Sequence, residues 1–202
     1  MRNCLVIGKP NAGKTLFILN FAEYLGFKNI EIKSIKNDEK VEVKKYSTEE
    51  AKRILSSSVP YKTTCLQSIE IEIPILKGRK IIKIIDSSGL IDGIHKDVKI
   101  RRAMGQTLGA LRESDIILHI IDISKLNYNN VIESIGEVDY QLIKYGAIKE
   151  GYAILGNKID LLERKTPIIQ LQKEFSDHYI IPISALLKRG FGEVKSYVSR
   201  RL

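Results

Sequence analysis

Residues 8–15 read Gly8-Lys9-Pro10-Asn11-Ala12-Gly13-Lys14-Thr15, which satisfies the spacing G-x-x-x-x-G-K-[S/T] at every fixed position. Asn3 to Gly8, just before, is an apolar run of strand length. Lys14 to Leu25, just after, carries apolar residues at helical spacing. At a strand-to-helix junction of this kind the main-chain N–H groups converge on an anion, and the helix N-terminus adds a favourable dipole. Gly8 and Gly13 let the backbone turn tightly and come close to phosphates. Lys14 offers a point charge to β- and γ-phosphates, and the Thr15 hydroxyl is a hard oxygen ligand suited to Mg²⁺.

Working outward, short apolar runs alternate with helix-length segments, the pattern of an α/β fold. Lys28 to Lys45 alternates apolar and polar residues around Asn37 and Asp38, a small hairpin. Ser47 starts a helix that runs into Ala51 to Leu55. Leu66 to Leu76 and Lys80 to Asp86 form an antiparallel pair, and a loop from Ser87 to Lys96 leads into a helix ending near Ser114. Asp115 to Asp122 is an unbroken apolar run bounded by charge, as in a strand covered on both faces. A helix over Asn130 to Tyr145, a strand over Tyr152 to Gly156, a helix near Ile168 to Phe175, a strand over Tyr179 to Ile183 and a helix from about Phe191 follow. The expected architecture is three layers: a mostly parallel six-stranded sheet with helices on both faces. One domain is expected over residues 1–202, with 27–56 as an insertion after the first helix.

Two further segments lie at the carboxyl ends of expected strands. Asp86 opens Asp86-Ser87-Ser88-Gly89; an acidic residue there can hold Mg²⁺ through water, and the Gly89 N–H can face a γ-phosphate. Asn157-Lys158-Ile159-Asp160 follows the strand at 152–156. A carboxylate at Asp160 accepts two hydrogen bonds from the N1–H and 2-amino group of guanine, donors that adenine lacks. A site built on such bonds discriminates strongly, because the wrong ligand leaves a buried polar group unpaired. Asn157 can tie the base loop to the phosphate loop, the Lys158 stem can cover the base, and the segment Ser184-Ala185-Leu186 can give a main-chain N–H to guanine O6. Thr63 and Thr64 lie in a polar loop where either hydroxyl reaches Mg²⁺ only once a γ-phosphate draws the loop in.

The chain has 202 residues, enough for one domain with a substantial core, and 33 Lys and Arg against 24 Asp and Glu give a net charge of +9. That balance asks for an acidic partner, with nucleic acid the first candidate. Basic residues cluster at Lys33, Lys36, Lys40, Lys44 and Lys45, at Lys96, Lys99, Arg101 and Arg102, and at Lys188, Arg189, Lys195, Arg200 and Arg201. For any one cluster taken alone, a solvated face of a helix or loop is the favoured reading. No apolar run has membrane-spanning length, so no membrane partner is expected. Met1 to Ile7 lacks the features of a secretory signal. Cys4 reads as strand core and Cys65 as a loop residue, not a disulfide framework, which fits a reducing cytoplasm. His119 reads as core. The sequence leaves oligomeric state open.

Taken together these stretches resemble the translation-factor-related GTPases with a P-loop NTPase fold, and more narrowly the Obg subfamily. Asn11 to Thr15 is typical of the wider Era and Obg group. Residues 59–64 (VPYKTT), 86–95 (DSSGLIDGIH) and 111–124 (LRESDIILHIIDIS), with YQLIKYG and NKID downstream, resemble the rest of that domain in order. Ser88 replaces the family's proline. The resemblance implies a GTPase that cycles between GTP and GDP with Mg²⁺ and acts with ribosome or rRNA. It favours Thr64 over Thr63 as the metal ligand beside Thr15 and Asp86. It also points to Asn11 as ligand of a K⁺ that assists hydrolysis, so the implied catalytic set is Lys14, Asn11 and Gly89. In Ras-type proteins a glutamine after the DxxG glycine orients the attacking water; that position is Leu90 here, which implies slow turnover, and His95 is a further candidate for the task. A GTP-gated protein-binding scaffold with negligible hydrolysis is the competing expectation.

Overall fold

The computed structural model describes residues 1–35, 41–56, 65–93, 95–127, 129–163 and 166–202. The elements in chain order are β1 (Arg2–Ile7), α1 (Lys14–Tyr24), β2 (Asn29–Ile35), β3 (Val41–Ser47), α2 (Thr48–Leu55), β4 (Gln67–Ile75) and β5 (Gly78–Asp86). They continue with α3 (Val98–Glu113), β6 (Ile116–Asp122), α4 (Val131–Ile135), α5 (Glu137–Gly146), β7 (Tyr152–Asn157), α6 (Thr166–Glu174), β8 (Tyr179–Pro182) and α7 (Phe191–Ser199). Ser47 caps α2 as its sequence suggests, accepting from the Glu50 N–H at 3.2 Å.

The strands form one sheet in the order β3-β2-β4-β5-β1-β6-β7-β8. β5, β1, β6, β7 and β8 run parallel, whereas β3, β2, β4 and β5 pair antiparallel. The sheet is therefore eight-stranded and mixed, not the mostly parallel six-stranded sheet expected. The difference is the hairpin β2–β3, which joins the sheet edge through Ile32 opposite Ile69, Lys33 opposite Ser68 and Ser34 opposite Gln67. Ile30 and Ile32 are both buried and continue the core beyond β4, so docking the hairpin hides apolar surface that would face water if it stood apart.

Alternate residues of the central strands feed two cores. Cys4, Val6, Ile82, Ile84, Leu118, Ile120 and Leu155 pack beneath Phe17, Phe21, Phe191 and Val194 of α1 and α7. Leu5, Ile7, Ile117, Ile121 and Ile154 pack beneath Leu111 of α3, Ile135 of α4, Leu142 of α5 and Leu171 of α6. The single helix expected over Asn130 to Tyr145 is two helices, broken at Gly136, whose φ is 78°. A side chain there would collide with Lys9 Nζ and Asp92 Oδ2, so the break lets the chain pass beside the phosphate loop.

Candidate nucleotide-binding site

The parallel strands end along one edge of the sheet, and the loops after β1, β5, β7 and β8 gather there. Gly8 has φ 142°, and a Cβ on it would strike the Ile120 carbonyl of β6. Asn11 is left-handed at φ 61°, and Gly13 sits at φ 103° as the residue before α1. Lys14 is buried, and its Nζ curls back to donate to the carbonyls of Gly8 at 3.1 Å and Lys9 at 2.9 Å. Burial lowers its pKa to about 8, against the opposing pull of Asp86 and Asp139. A phosphate above the loop would supply the anion that this ammonium lacks.

Thr15 Oγ1 donates to Asp86 Oδ2 at 2.6 Å, and Asp86 is buried at the end of β5 with its Oδ1 unpartnered. Burial pushes its carboxyl up to about 6; the Thr15 hydrogen bond and Lys14 pull the other way without prevailing. A buried carboxylate with an orphan oxygen beside a hydroxyl is short of positive charge, and this donor set fits Mg²⁺. Thr63 and Thr64 lie outside the described residues. The segment after Asp86 folds back on the phosphate loop. Ser87 Oγ donates to Val6 O at 2.8 Å, the Leu90 N–H donates to Gly8 O at 3.3 Å, and a Cβ on Gly89 would lie 2.5 Å from Pro10 N. Ser88, which stands at the family's proline position, bonds Thr107 of α3 at 3.1 Å.

Asn157 joins the loop after β1 to the segment after β8. Its Nδ2 donates to the Ala12 carbonyl at 2.7 Å and its Oδ1 accepts from the Ala185 N–H at 2.9 Å. Asn20 of α1 donates to Ala185 O at 2.7 Å, and the Ser184 hydroxyl accepts from the Leu187 N–H at 3.0 Å. The Ala185 N–H is thus engaged internally, which leaves the Leu186 N–H without an acceptor among the described residues. Lys158 is left-handed at φ 70°, and its ammonium pairs with Asp122 at 2.6 Å. Asp160 is half-buried in the turn that follows. His95 Nδ1 accepts from the Asp97 N–H at 3.0 Å, and Leu90 is packed into the core.

Sequence reasoning missed a polar chain on the inner side of this loop. Lys9 Nζ donates to Ile135 O at 2.6 Å and pairs with Asp92 at 3.2 Å and Asp139 at 3.8 Å. Asp139 meets His119 Nε2 at 2.9 Å, and His119 Nδ1 meets the Tyr152 hydroxyl at 2.6 Å. His119 is buried, as expected, but hydrogen-bonded at both nitrogens. Asp122 was also missed, although its place at the carboxyl end of a strand next to β1 repeats that of Asp86.

Residues 3–158 match the family described as 50S ribosome-binding GTPase. Over 119 residues the chain is 29% identical to GTPase Obg of Persephonella marina, covering 57% of this chain and 34% of that protein. Over 104 residues it is 31% identical to GTPase Obg of Phytoplasma mali, covering 51% and 24%. The chain thus spans about a third or less of these relatives. It superposes on Era in complex with MgGDPNP and nucleotides 1506–1542 of 16S ribosomal RNA with TM-score 0.68 at 19% identity, covering 100% of this chain and 56% of that one. For the G domain of the T. maritima FeoB iron transporter the TM-score is 0.58 at 16% identity, covering 100% and 98%. The two structural likenesses establish the fold, and the family match spans well over half of the sequence. This protein belongs to the 50S ribosome-binding GTPase family as an Obg-like P-loop GTPase.

Proposed function

We propose that residues 1–202 are one G domain, with 27–56 as an insertion, that binds GTP and GDP with Mg²⁺ and hydrolyses GTP slowly to GDP and phosphate. It would act as a nucleotide-dependent switch in ribosome assembly or another RNA-linked cytoplasmic process. The observation that carries the reading is the pair of Asn157 bonds, because they hold a base-reading loop and a phosphate-gripping loop at fixed separation. A ligand that satisfies both loops is a guanine nucleotide. Lys14 stays charged once phosphates lie over Gly8 and Gly13. Thr15 and Asp86, with Thr64 from the sequence preceding β4, would hold the metal, which when bound neutralises charge gathering on the phosphates. Gly89, seated against Pro10, can offer its N–H to a γ-phosphate. Guanine O6 can take the Leu186 N–H, or compete with Asn157 for that of Ala185. Asn11 would bind a K⁺ that assists hydrolysis.

Leu90 in the core and His95 turned to Asp97 favour a slow reaction, and they are the specific support for the second reading, a GTP-gated scaffold with negligible turnover. Titration of a fluorescent GDP against unlabelled GTP and ATP tests the first half. GTP and GDP should compete and ATP should not, and Asp160→Asn should abolish that selectivity; equal displacement by ATP refutes the guanine assignment. Single-turnover GTP hydrolysis in K⁺ and in Na⁺, with and without ribosomal subunits, tests the second half. No phosphate release in any arm leaves the scaffold.

A further inference from the structure

We propose that a basic cleft at the pole opposite the phosphate loop binds the phosphodiester backbone of RNA. The proposal deepens the RNA-linked half of the reading above and is independent of its nucleotide half. β1, β6 and β7 run parallel, so the nucleotide loops lie at their carboxyl ends and their amino ends form the far edge of the sheet. A six-residue strand separates the two poles by about 20 Å. At the far edge Arg2 opens β1, Lys149 precedes β7, and Arg200 and Arg201 follow α7. These four side chains line a cleft of about 700 Å³ that also contains Asp115 and Glu150.

These cations are held by main-chain carbonyls, as Arg101 is by those of His95 and Lys96, whereas several other basic residues are held by carboxylates. Lys9, Lys33, Lys52, Lys158 and Lys188 each pair with a carboxylate. Arg2, Lys149, Arg200 and Arg201 have no carboxylate partner among the described residues and donate to main-chain carbonyls. Arg2 bonds Arg201 O, Lys149 reaches Arg112 O at 3.5 Å, Arg200 Nε bonds Ser196 O at 3.2 Å, and Arg201 Nη1 bonds Tyr197 O at 3.2 Å. The Arg201 guanidinium also lies 3.6 Å from the Tyr197 ring centroid, which fixes its plane. Asp115, whose Oδ2 accepts the Asn3 N–H at 2.8 Å, and Glu150 offset two of the four positive charges, so the lining stays net positive. Each guanidinium carries five donors, so most remain for a ligand. Fork-shaped donors in a concave, net-positive cleft suit the phosphates of a strand that follows the groove; a flat lipid surface would reach only its rim. The net charge of +9 supplies a long-range field of the same sign.

The test is fluorescence anisotropy of a labelled RNA hairpin with single-stranded flanks, titrated with the GDP-loaded full chain over a range of KCl. The cleft variant carries Arg2→Gln, Arg200→Gln and Arg201→Gln; a control with the same charge removed elsewhere carries Lys99→Gln, Arg102→Gln and Lys173→Gln. The cleft variant should lose at least about tenfold in affinity. Its log-affinity against log-salt slope should fall by roughly 2, at about 0.7–0.9 for each phosphate no longer neutralised. The control should lose only a few-fold and keep its slope. GDP binding reports folding in both, and a wild-type chain that fails to bind GDP refutes the nucleotide reading without touching the cleft. Equal losses in the two variants, or unaltered RNA binding by the cleft variant, overturn the proposal. So does tighter, cleft-dependent binding to phosphatidylserine vesicles or to polyglutamate than to RNA.

Discussion

Under α1 and α7 the sheet meets an apolar layer centred on three rings. Phe17 stacks on Phe21 at 5.4 Å between centroids, and Phe191 stands edge-on to both. Under α3 to α6 the opposite face carries aliphatic residues too, but a polar chain runs out through them, from buried Tyr152, His119 and Asp139 to the more exposed Lys9 and Asp92. Dispersion and burial hold the first face together and depend on filled volume. The second gives up some apolar packing for directional bonds, whose geometry specifies which atoms meet. Its chain ends on the phosphate loop at Lys9 and on the post-Gly89 segment at Asp92. The comparison teaches that the two faces are held by different forces: filled apolar volume on one, and on the other directional bonds that tie core to site.

Truncation on the apolar face should give the largest effect. Phe191→Ala removes a fully buried ring and should cost about 3–5 kcal/mol of stability in urea unfolding, while the folded protein keeps its preference for guanine nucleotides. On the polar face Asp139→Ala strands His119 Nε2 in the core and should cost about 1–3 kcal/mol. There the loss should come with faster nucleotide release, measured by stopped-flow displacement, because Lys9 loses a partner. Replacing His119, Asp139 and Tyr152 together by Leu, Leu and Phe should restore most of the stability and leave release fast. If Phe191→Ala speeds release as much as Asp139→Ala does, the division between faces fails.

The apolar face was largely legible in the sequence, because strand alternation and helical spacing are local patterns. So were the segments that meet at the sheet edge, because Gly8 to Thr15, Asp86 to Gly89 and Asn157 to Asp160 are contiguous motifs at strand ends. The hairpin's docking was not, since it depends on Ile30 and Ile32 reaching a core made by distant elements. Neither was the break at Gly136, because the apolar spacing continues through it, and the side chains crowding it, of Lys9 and Asp92, come from distant parts of the chain. His119 reads as core within an apolar run, and burial bears that out. Its partners lie 20 and 33 residues away, beyond any local pattern.

Asp86 stands at the edge where both faces meet the site, and its titration gives a smaller effect of definite sign. Its carboxyl is raised from 3.8 to about 6 in the metal-free fold, so protonation favours that fold. The contribution is fully present below about 3.8 and is lost as pH rises through about 6. Mg²⁺ needs the carboxylate and competes with that proton. The Mg²⁺ dependence of GDP affinity should therefore weaken by up to about tenfold per pH unit below that point and level off above it. Asp86→Asn should flatten the profile; a wild-type profile without a break contradicts the assignment of Asp86 as metal-holding residue.

The outer end of the polar chain should give the smallest effect and the sharpest test of communication. Lys9 is partly exposed and Asp92 nearly half so, which limits their ion pair to about 1 kcal/mol or less. Burial works against the Asp92 carboxylate, but the Val138 N–H and Lys9 outweigh it and hold its pKa below the usual value. The same carboxylate accepts that N–H at 2.6 Å in the first turn of α5. Asp92 thus ties the segment after Gly89 to both Lys9 and the first turn of α5. Lys9→Met and Asp92→Asn should each change the ratio of GTP-analogue to GDP affinity by no more than about fivefold. If the pair is the link, the double variant should change it no further than the larger single effect, since each substitution breaks the same ion pair. Additive changes would mean that the two residues act on the nucleotide separately, and the polar face would then be a structural feature with no part in the switch.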